Sequence, residues 1–200
     1  ANQGGTITAH NLTASASGEG STGLNGGDGY GAYPSEIFAG AFVEAIGAGS
    51  AITLTGLTTI EARGEGGVGT STDGSGSGGY ATLYAEDASI DAEDVLVDAS
   101  AVLGSGSGGF AGIEVYDGTI TAEAATLVSN GASEGGEVRI RVETTEVGGS
   151  LALASLNATA NGGDAAGDVL VDVAAGSTAD FGNATLTSNG GVPLSGEDGI

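Results

Sequence analysis

GTITAEAATLVSNG, residues 118–131, holds two runs of alternating side chains and closes on a turn signal. Ile120 and Ala122 alternate with Thr119 and Thr121, and a second run, Ala125-Leu127-Ser129, starts five residues after Ile120. Alternation with β-branched residues marks strands with one buried face. Asn130-Gly131 then supplies the residues that most readily take a left-handed backbone. The phrase also recurs. GTITA stands at 5–9, and SAITL (50–54), ASIDA (88–92), GSLAL (149–153) and STADF (177–181) are variants. Their central residues are Ile7, Ile52, Ile90, Ile120, Leu151 and Ala179, at intervals of 45, 38, 30, 31 and 28 residues.

The second run recurs with the first, as Leu12-Ala14-Ala16, Val95-Val97-Ala99, Leu156-Ala158-Ala160 and Ala184-Leu186-Ser188. In the second unit Leu57 begins it but Ile60 falls out of phase, which predicts a bulge or register shift there. Asn161-Gly162 and Asn189-Gly190 repeat the turn. A Gly-rich stretch of variable length follows, then a third alternation: Ala41-Val43-Ala45, Ala81-Leu83-Ala85, Ala111-Ile113-Val115, Val138-Ile140-Val142 and Val169-Val171-Val173. GSGSGGYA (74–81) and GSGSGGFA (104–111) close the Gly-rich stretch alike, so they read as corners of the unit rather than tethers, with Tyr80 and Phe110 stacked at equivalent positions.

The expectation is an all-β chain: a parallel β-helix of about six rungs over residues 1–200, three short strands each, with the variable loop between the second and third. No unit buries its own apolar face, whereas stacking equivalent strands buries all of them. Right-handed crossovers are expected of parallel strands.

Composition agrees. The 200 residues include 41 Gly but 2 Pro, few aromatics, and no Cys, Met or Trp. Net charge is −23, with Arg63, Arg139 and Arg141 the only Lys or Arg residues. Such a chain repels nucleic acid and anionic lipid, both of which need Lys or Arg to neutralise phosphate. Without Cys there is no disulfide framework and no thiolate zinc site. No apolar run approaches the roughly 20 residues of a membrane helix, so membrane insertion is not expected. The start, ANQGG, carries no signal-peptide pattern and reads as a mature or excised segment.

The GTITA/SLAL phrases, L-x-A-x-A strands, NGG turns and A-x-I-x-V strands resemble the β-helical passenger regions of large bacterial exported adhesins, the filamentous-haemagglutinin-like and autotransporter class. The resemblance implies export, an extracellular or cell-surface location, and an adhesive or scaffolding role without catalysis. Expected partners are further repeats or copies of the chain, stacked end to end into a filament, and surface glycans. The alternative is a carbohydrate-active enzyme or sugar-binding module on the same scaffold.

Candidate site residues are few. His10 is the single histidine, which argues against a transition-metal site or a Cys/His nucleophile. No organic cofactor is implied, but calcium is a candidate ligand. Asp164 and Asp168 in NGGDAAGDVLV, and Asp28 in NGGDGYGAY, are the candidate calcium residues. Tyr30, Tyr33 and Phe38 of the first long loop, with Tyr84, form a candidate binding surface; Tyr84 neighbours Glu114 and Glu44 on one outward line. Aligning the third strands puts Arg141 between Glu114 and Asp172, a predicted structural ion ladder. Asp91 and Asp98 read as solvated outward positions.

Overall fold

Alternating aliphatic residues draw each strand to one side, and the computed structural model shows what each strand meets there. It describes residues 1–32, 40–146 and 148–190. The first unit comprises β1 (Thr6–Ala9), β2 (Leu12–Ser15), the short β3 (Gly18–Glu19), β4 (Gly23–Asn25) and β5 (Gly29–Tyr30), and β6 (Ala41–Ile46). The second has β7 (Ala51–Glu61), β8 (Gly64–Glu65), β9 (Gly69–Thr72), β10 (Gly76–Ser77) and β11 (Tyr80–Glu86). The third has β12 (Ser89–Asp98), β13 (Ala101–Val102) and β14 (Phe110–Tyr116). Then come β15 (Thr119–Val128) and β16 (Glu137–Glu143), β17 (Ser150–Thr159) and β18 (Asp168–Val173), and finally β19 (Thr178–Thr187).

The described residues are all-β without a helix, and the strands assemble into parallel sheets. One large sheet runs β1-β7-β12-β15-β17-β19, with β2 also on β7; the other runs β6-β11-β14-β16-β18. The ladder joins Ile7 to Ile52, Ile52 to Ile90, Ile90 to Ile120, Ile120 to Leu151 and Leu151 to Ala179. In the second sheet Val43, Leu83, Ile113, Ile140 and Val171 form an equivalent line. Inward residues of both sheets form one apolar core, almost wholly aliphatic.

Two local features depart from the three-strand reading. From the second unit on, the first two alternations form one continuous strand. Burial changes phase at its centre: Ala92 points inward, Glu93 and Asp94 both face out, and Val95 is buried again. Two successive outward residues turn a corner: the ladder skips Glu93 and Glu123 and resumes in the same register, and Ala122, Glu123, Ala124 and Ala125 repeat the pattern one unit later.

In β7 a residue is added at that corner, and the register shifts between Ala92 and Asp94 on the facing strand. The extra residue turns Leu57 outward, 49 % exposed, and places Thr58 and Ile60 in the core instead. Leu57 therefore does not start the inward run; its backbone N–H donates to Asn11 Oδ1 at 3.1 Å.

The Gly-rich stretches are ordered arms rather than simple corners. Their outgoing limbs pair as β3-β8-β13, and further ladders join β4 to β9 and β5 to β10. The limbs face each other at backbone contact. A Cβ on Gly20 would lie 1.8 Å from the Gly27 carbonyl oxygen, and one on Gly66 2.1 Å from that of Gly74. Hydrogen bonds run along the ladders, as from Gly20 N to Glu65 O at 2.7 Å. They also cross between limbs, as from Gly74 N to Gly67 O and from Gly67 N to Gly27 O, both at 2.8 Å. Glycine is needed because any side chain would separate the limbs and leave these polar groups unpaired.

Asp117 fixes the turn after β14. It takes a left-handed φ of 49°, as Asp87 does at 51° in the equivalent turn. Its carboxylate accepts from Thr144 Oγ1 at 2.8 Å, Thr145 N at 2.8 Å, Gly148 N at 3.0 Å and Glu146 N at 3.1 Å, and also from Thr145 Oγ1. The Thr145 hydroxyl and these amides hold the carboxyl well below the usual carboxylate range. A depressed folded-state value means the unfolded chain binds the proton more readily. The stabilisation is therefore present above the unfolded value near 4 and fades as pH falls below it. Asp117→Asn is expected to reduce hydrogen-exchange protection of the Thr145 and Gly148 amides at neutral pH and to flatten the loss of stability below about pH 4. Unchanged protection, measured by exchange NMR, would contradict this role.

Candidate functional site

The outer face of the β6-β11-β14-β16-β18 sheet concentrates the aromatic rings and two of the three arginines. Alternation aims the residues between the inward aliphatics outward, and the parallel register piles them into lines. One line is Glu44, Tyr84, Glu114, Arg141 and Asp172. Beside it run Glu86, Tyr116 and Glu143, and on the other side Phe42, Thr82, Gly112, Arg139 and Leu170.

The rings form two short stacks. Tyr80 and Phe110 lie parallel, centroids 4.3 Å apart and 4° between planes, and Phe42 approaches Tyr80 at 5.6 Å. The Phe110 ring lies across Gly112, where a Cβ would come within 2.6 Å of it. Arg139 continues this stack, its guanidinium 5.9 Å from the Phe110 centroid. In the second stack Tyr84 and Tyr116 are 5.5 Å apart, and Arg141 lies 5.6 Å from Tyr116. Each stack thus ends in a cation over a ring face, an attraction of about 0.5–1 kcal/mol at an exposed site.

Register places Arg141 between Glu114 and Asp172, the line expected of the ladder, while its close ion pair is with a third carboxylate. The guanidinium meets Glu143, two residues along its own strand, with Nη2 at 2.5 Å and Nε at 2.7 Å. Arg139 does the same with Glu137 at 2.8 Å. Consecutive residues of one strand face opposite sides, so i and i+2 share a face, and each arginine reaches its partner while its plane covers a ring on the neighbouring strand.

Glu114 sits half-buried beneath this arrangement. Burial raises its pKa, outweighing the opposing pull of Arg141 and Arg139. A raised folded-state value stabilises the fold below the unfolded value, and that contribution is lost as pH rises through the folded one. At neutral pH the charge is a burden. Glu114→Gln is expected to raise neutral-pH stability, by no more than about 1 kcal/mol given the solvent that reaches the side chain. A thermal melt that drops at pH 7 would show that the arginines dominate instead.

Tyr84 donates its hydroxyl to Glu86 Oε2 at 2.7 Å, and burial together with that carboxylate pushes its pKa up. The remaining candidates lie elsewhere. Tyr30 is 63 % exposed on the first arm, and its hydroxyl meets Asp28 Oδ2 at 3.3 Å. Asp28 also accepts from Ser75 N at 2.8 Å, so its carboxylate ties one arm to the next. Asp164 and Asp168 are exposed in the fifth unit, and Asp164 N donates to Ser133 O at 2.6 Å. Among the described residues no three or more His, Asp or Glu converge as a metal site requires. His10 Nδ1 lies 3.3 Å from Thr55 Oγ1. Tyr33 and Phe38 lie outside the described residues.

A groove of about 390 Å³ follows the corner of the long strands, bordered by Asp91, Thr121, Glu123 and Asp180. Thr121 Oγ1 donates to Asp91 Oδ1 at 2.6 Å.

Sequence reasoning singled out Tyr84, Glu114 and Arg141 but missed Tyr116 and Arg139 as members of the same surface. Both lay in plain view at two-residue spacing, Tyr116 after Glu114 and Arg139 before Arg141. Compared with protein-family models, curated proteins and solved structures, the chain matches none of them.

Proposed function

We propose that the chain is a length of right-handed parallel β-solenoid that serves as a non-enzymatic structural and adhesive rod, in a protein exported to the bacterial cell surface or beyond it. The winding is supported by the in-register lines through successive units, from Ile52 to Leu151 and from Val43 to Ile140. The adhesive reading is carried by the strip of half-exposed Tyr80, Tyr84 and Tyr116 with Glu114, Arg139 and Arg141. The tyrosine ring edges and hydroxyls that the stacks leave exposed, with the carboxylates and guanidinia beside them, suit sugar hydroxyls. Repetition at about 4.8 Å along a parallel sheet favours an extended glycan over a compact ligand.

The test is binding of the full 200-residue chain to immobilised neutral and acidic polysaccharides, with release of reducing ends measured in parallel. Binding without hydrolysis, weakened about tenfold by Tyr116→Ala, is expected, since a good aromatic contact carries about 1.4 kcal/mol. No binding to any polysaccharide would retire the adhesive reading. Hydrolysis would favour the carbohydrate-active alternative, whose support is the groove beside Asp91, Glu123 and Asp180.

End-to-end association belongs to the same proposal. Among the described residues, β18 and β19 pair on one side only, and Val171, Val173 and Leu186 of these units are 38–50 % exposed. Unpaired parallel edges are templates for further strands. Electron microscopy of the purified chain is expected to show fibres; uniform short particles would remove self-stacking from the proposal.

A further inference from the structure

Four Asn-Gly pairs occur in the chain, at Asn25, Asn130, Asn161 and Asn189. Asn-Gly is the dipeptide most prone to spontaneous deamidation, since glycine puts no side chain in the way of ring closure. The reaction needs two things: a backbone nitrogen free to lose its proton, and a side-chain carbonyl carbon free to swing towards it.

Three of the four pairs are denied both. Gly26 N donates to Thr72 O at 2.8 Å, Gly131 N to Asn161 O at 2.9 Å and Gly162 N to Asn189 O at 2.9 Å. The side chains are held as well. Asn25 Oδ1 accepts from Thr72 Oγ1 at 3.2 Å, Asn130 Oδ1 from Asn161 N at 2.8 Å, and Asn161 Oδ1 from Asn189 N at 3.0 Å. Each asparagine is thus pinned by the unit stacked on it. Asn189 is the last asparagine of this ladder among the described residues. It donates its own N–H to Asn161, but among the described residues neither its side chain nor Gly190 N has a hydrogen-bond partner, and both residues are exposed.

We propose that Asn189 is a self-modification site, deamidating through a succinimide while Asn25, Asn130 and Asn161 are protected by the stacked units. Gly190 N attacks Asn189 Cγ; the new C–N bond forms as the Cγ–Nδ2 bond breaks, and the amide proton leaves with ammonia. Water then opens the five-membered ring at either carbonyl, giving aspartate or isoaspartate. Each event adds one negative charge beside β19, and the isoaspartate product lengthens the backbone there by one methylene. No enzyme or cofactor is required, and the reacting groups belong to neighbouring residues, so the step is intramolecular.

The experiment compares the folded chain, at a dilution where electron microscopy shows single particles, with the same chain in urea, both at mildly alkaline pH, by peptide mapping with mass spectrometry and isoaspartate labelling; end-to-end stacking, where it occurs, covers the edge that carries Asn189. In urea all four sites are expected to convert at similar rates. In the folded chain Asn189 keeps its urea rate, while the other three slow by at least about tenfold, because each must first open locally. Equal rates at all four sites in the folded chain, or slowing of Asn189 to match the others, would overturn the proposal. Gly190→Val is expected to suppress conversion at Asn189 by crowding ring closure; an unchanged rate would rule out the succinimide route.

Discussion

Ile113→Ala is expected to cost the chain about 2–5 kcal/mol, among the largest effects of any single truncation. Ile113 is fully buried at the centre of the line that joins Leu83 to Ile140, with a complete unit on either side. Neighbours built into ladders above and below cannot collapse into the space, so the lost transfer energy and the cavity add. The comparison that makes this specific to stacking is Val171→Ala in the same line. Val171 is 38 % exposed in the fifth unit, and its truncation is expected to cost less than about 1 kcal/mol. Urea denaturation of both variants checks the pair. Equal losses would show that the line does not bear the core.

Gly106→Ala is expected to open the arms while leaving the sheets intact. A Cβ there would fall 1.2 Å from the Gly76 carbonyl oxygen, closer than any backbone adjustment short of separating the two units can relieve. Overpacking typically costs about 1–3 kcal/mol, and here the obstacle is backbone, so the upper end applies. The arms contain almost no apolar side chains, so their cohesion is hydrogen bonding and close contact, the kind of region that opens independently. Exchange protection is expected to fall at Gly76 N and Gly78 N, which donate to Leu103 O at 3.2 Å and Ser107 O at 3.0 Å. Protection in β14 and β15 is expected to persist. Uniform loss across the chain would mean that arm and core fold as one unit.

Polar residues within the core follow the same logic of satisfaction. Ser129 stands where the second alternation predicts an inward residue and is fully buried. Its hydroxyl donates to Gly109 O at 2.7 Å, and Ser188, just after β19, repeats the bond to Gly167 O at 2.5 Å. The serine therefore tethers the base of the Gly-rich arm to the core strand. Sequence alternation located the position, but the hydrogen bond that makes a serine acceptable there joins residues 20 apart.

Much of the architecture was readable because a repeat reports its own register. Ile7, Ile52, Ile90, Ile120 and Leu151 occupy equivalent positions, and a parallel ladder that slipped by one residue would turn every inward side chain to solvent. The outward line through Tyr84, Glu114 and Arg141 follows from that register without further information. The choice of Glu143 as the partner of Arg141 does not. It depends on side-chain rotamers and on the Tyr116 ring that the guanidinium covers, neither of which periodicity encodes.

The amino-acid order alone thus determined which residues face inward and which stack on which, since hydrophobic alternation and a fixed repeat are carried by the side chains themselves. Tertiary structure decided the rest. Glycine carries no side-chain signal, so a Gly-Ser run reads as slack until two limbs are seen at backbone contact, each held apart by nothing but hydrogen. The outward turn of Leu57 has the same origin: it is set by the register with a strand one unit away, dozens of residues along the chain.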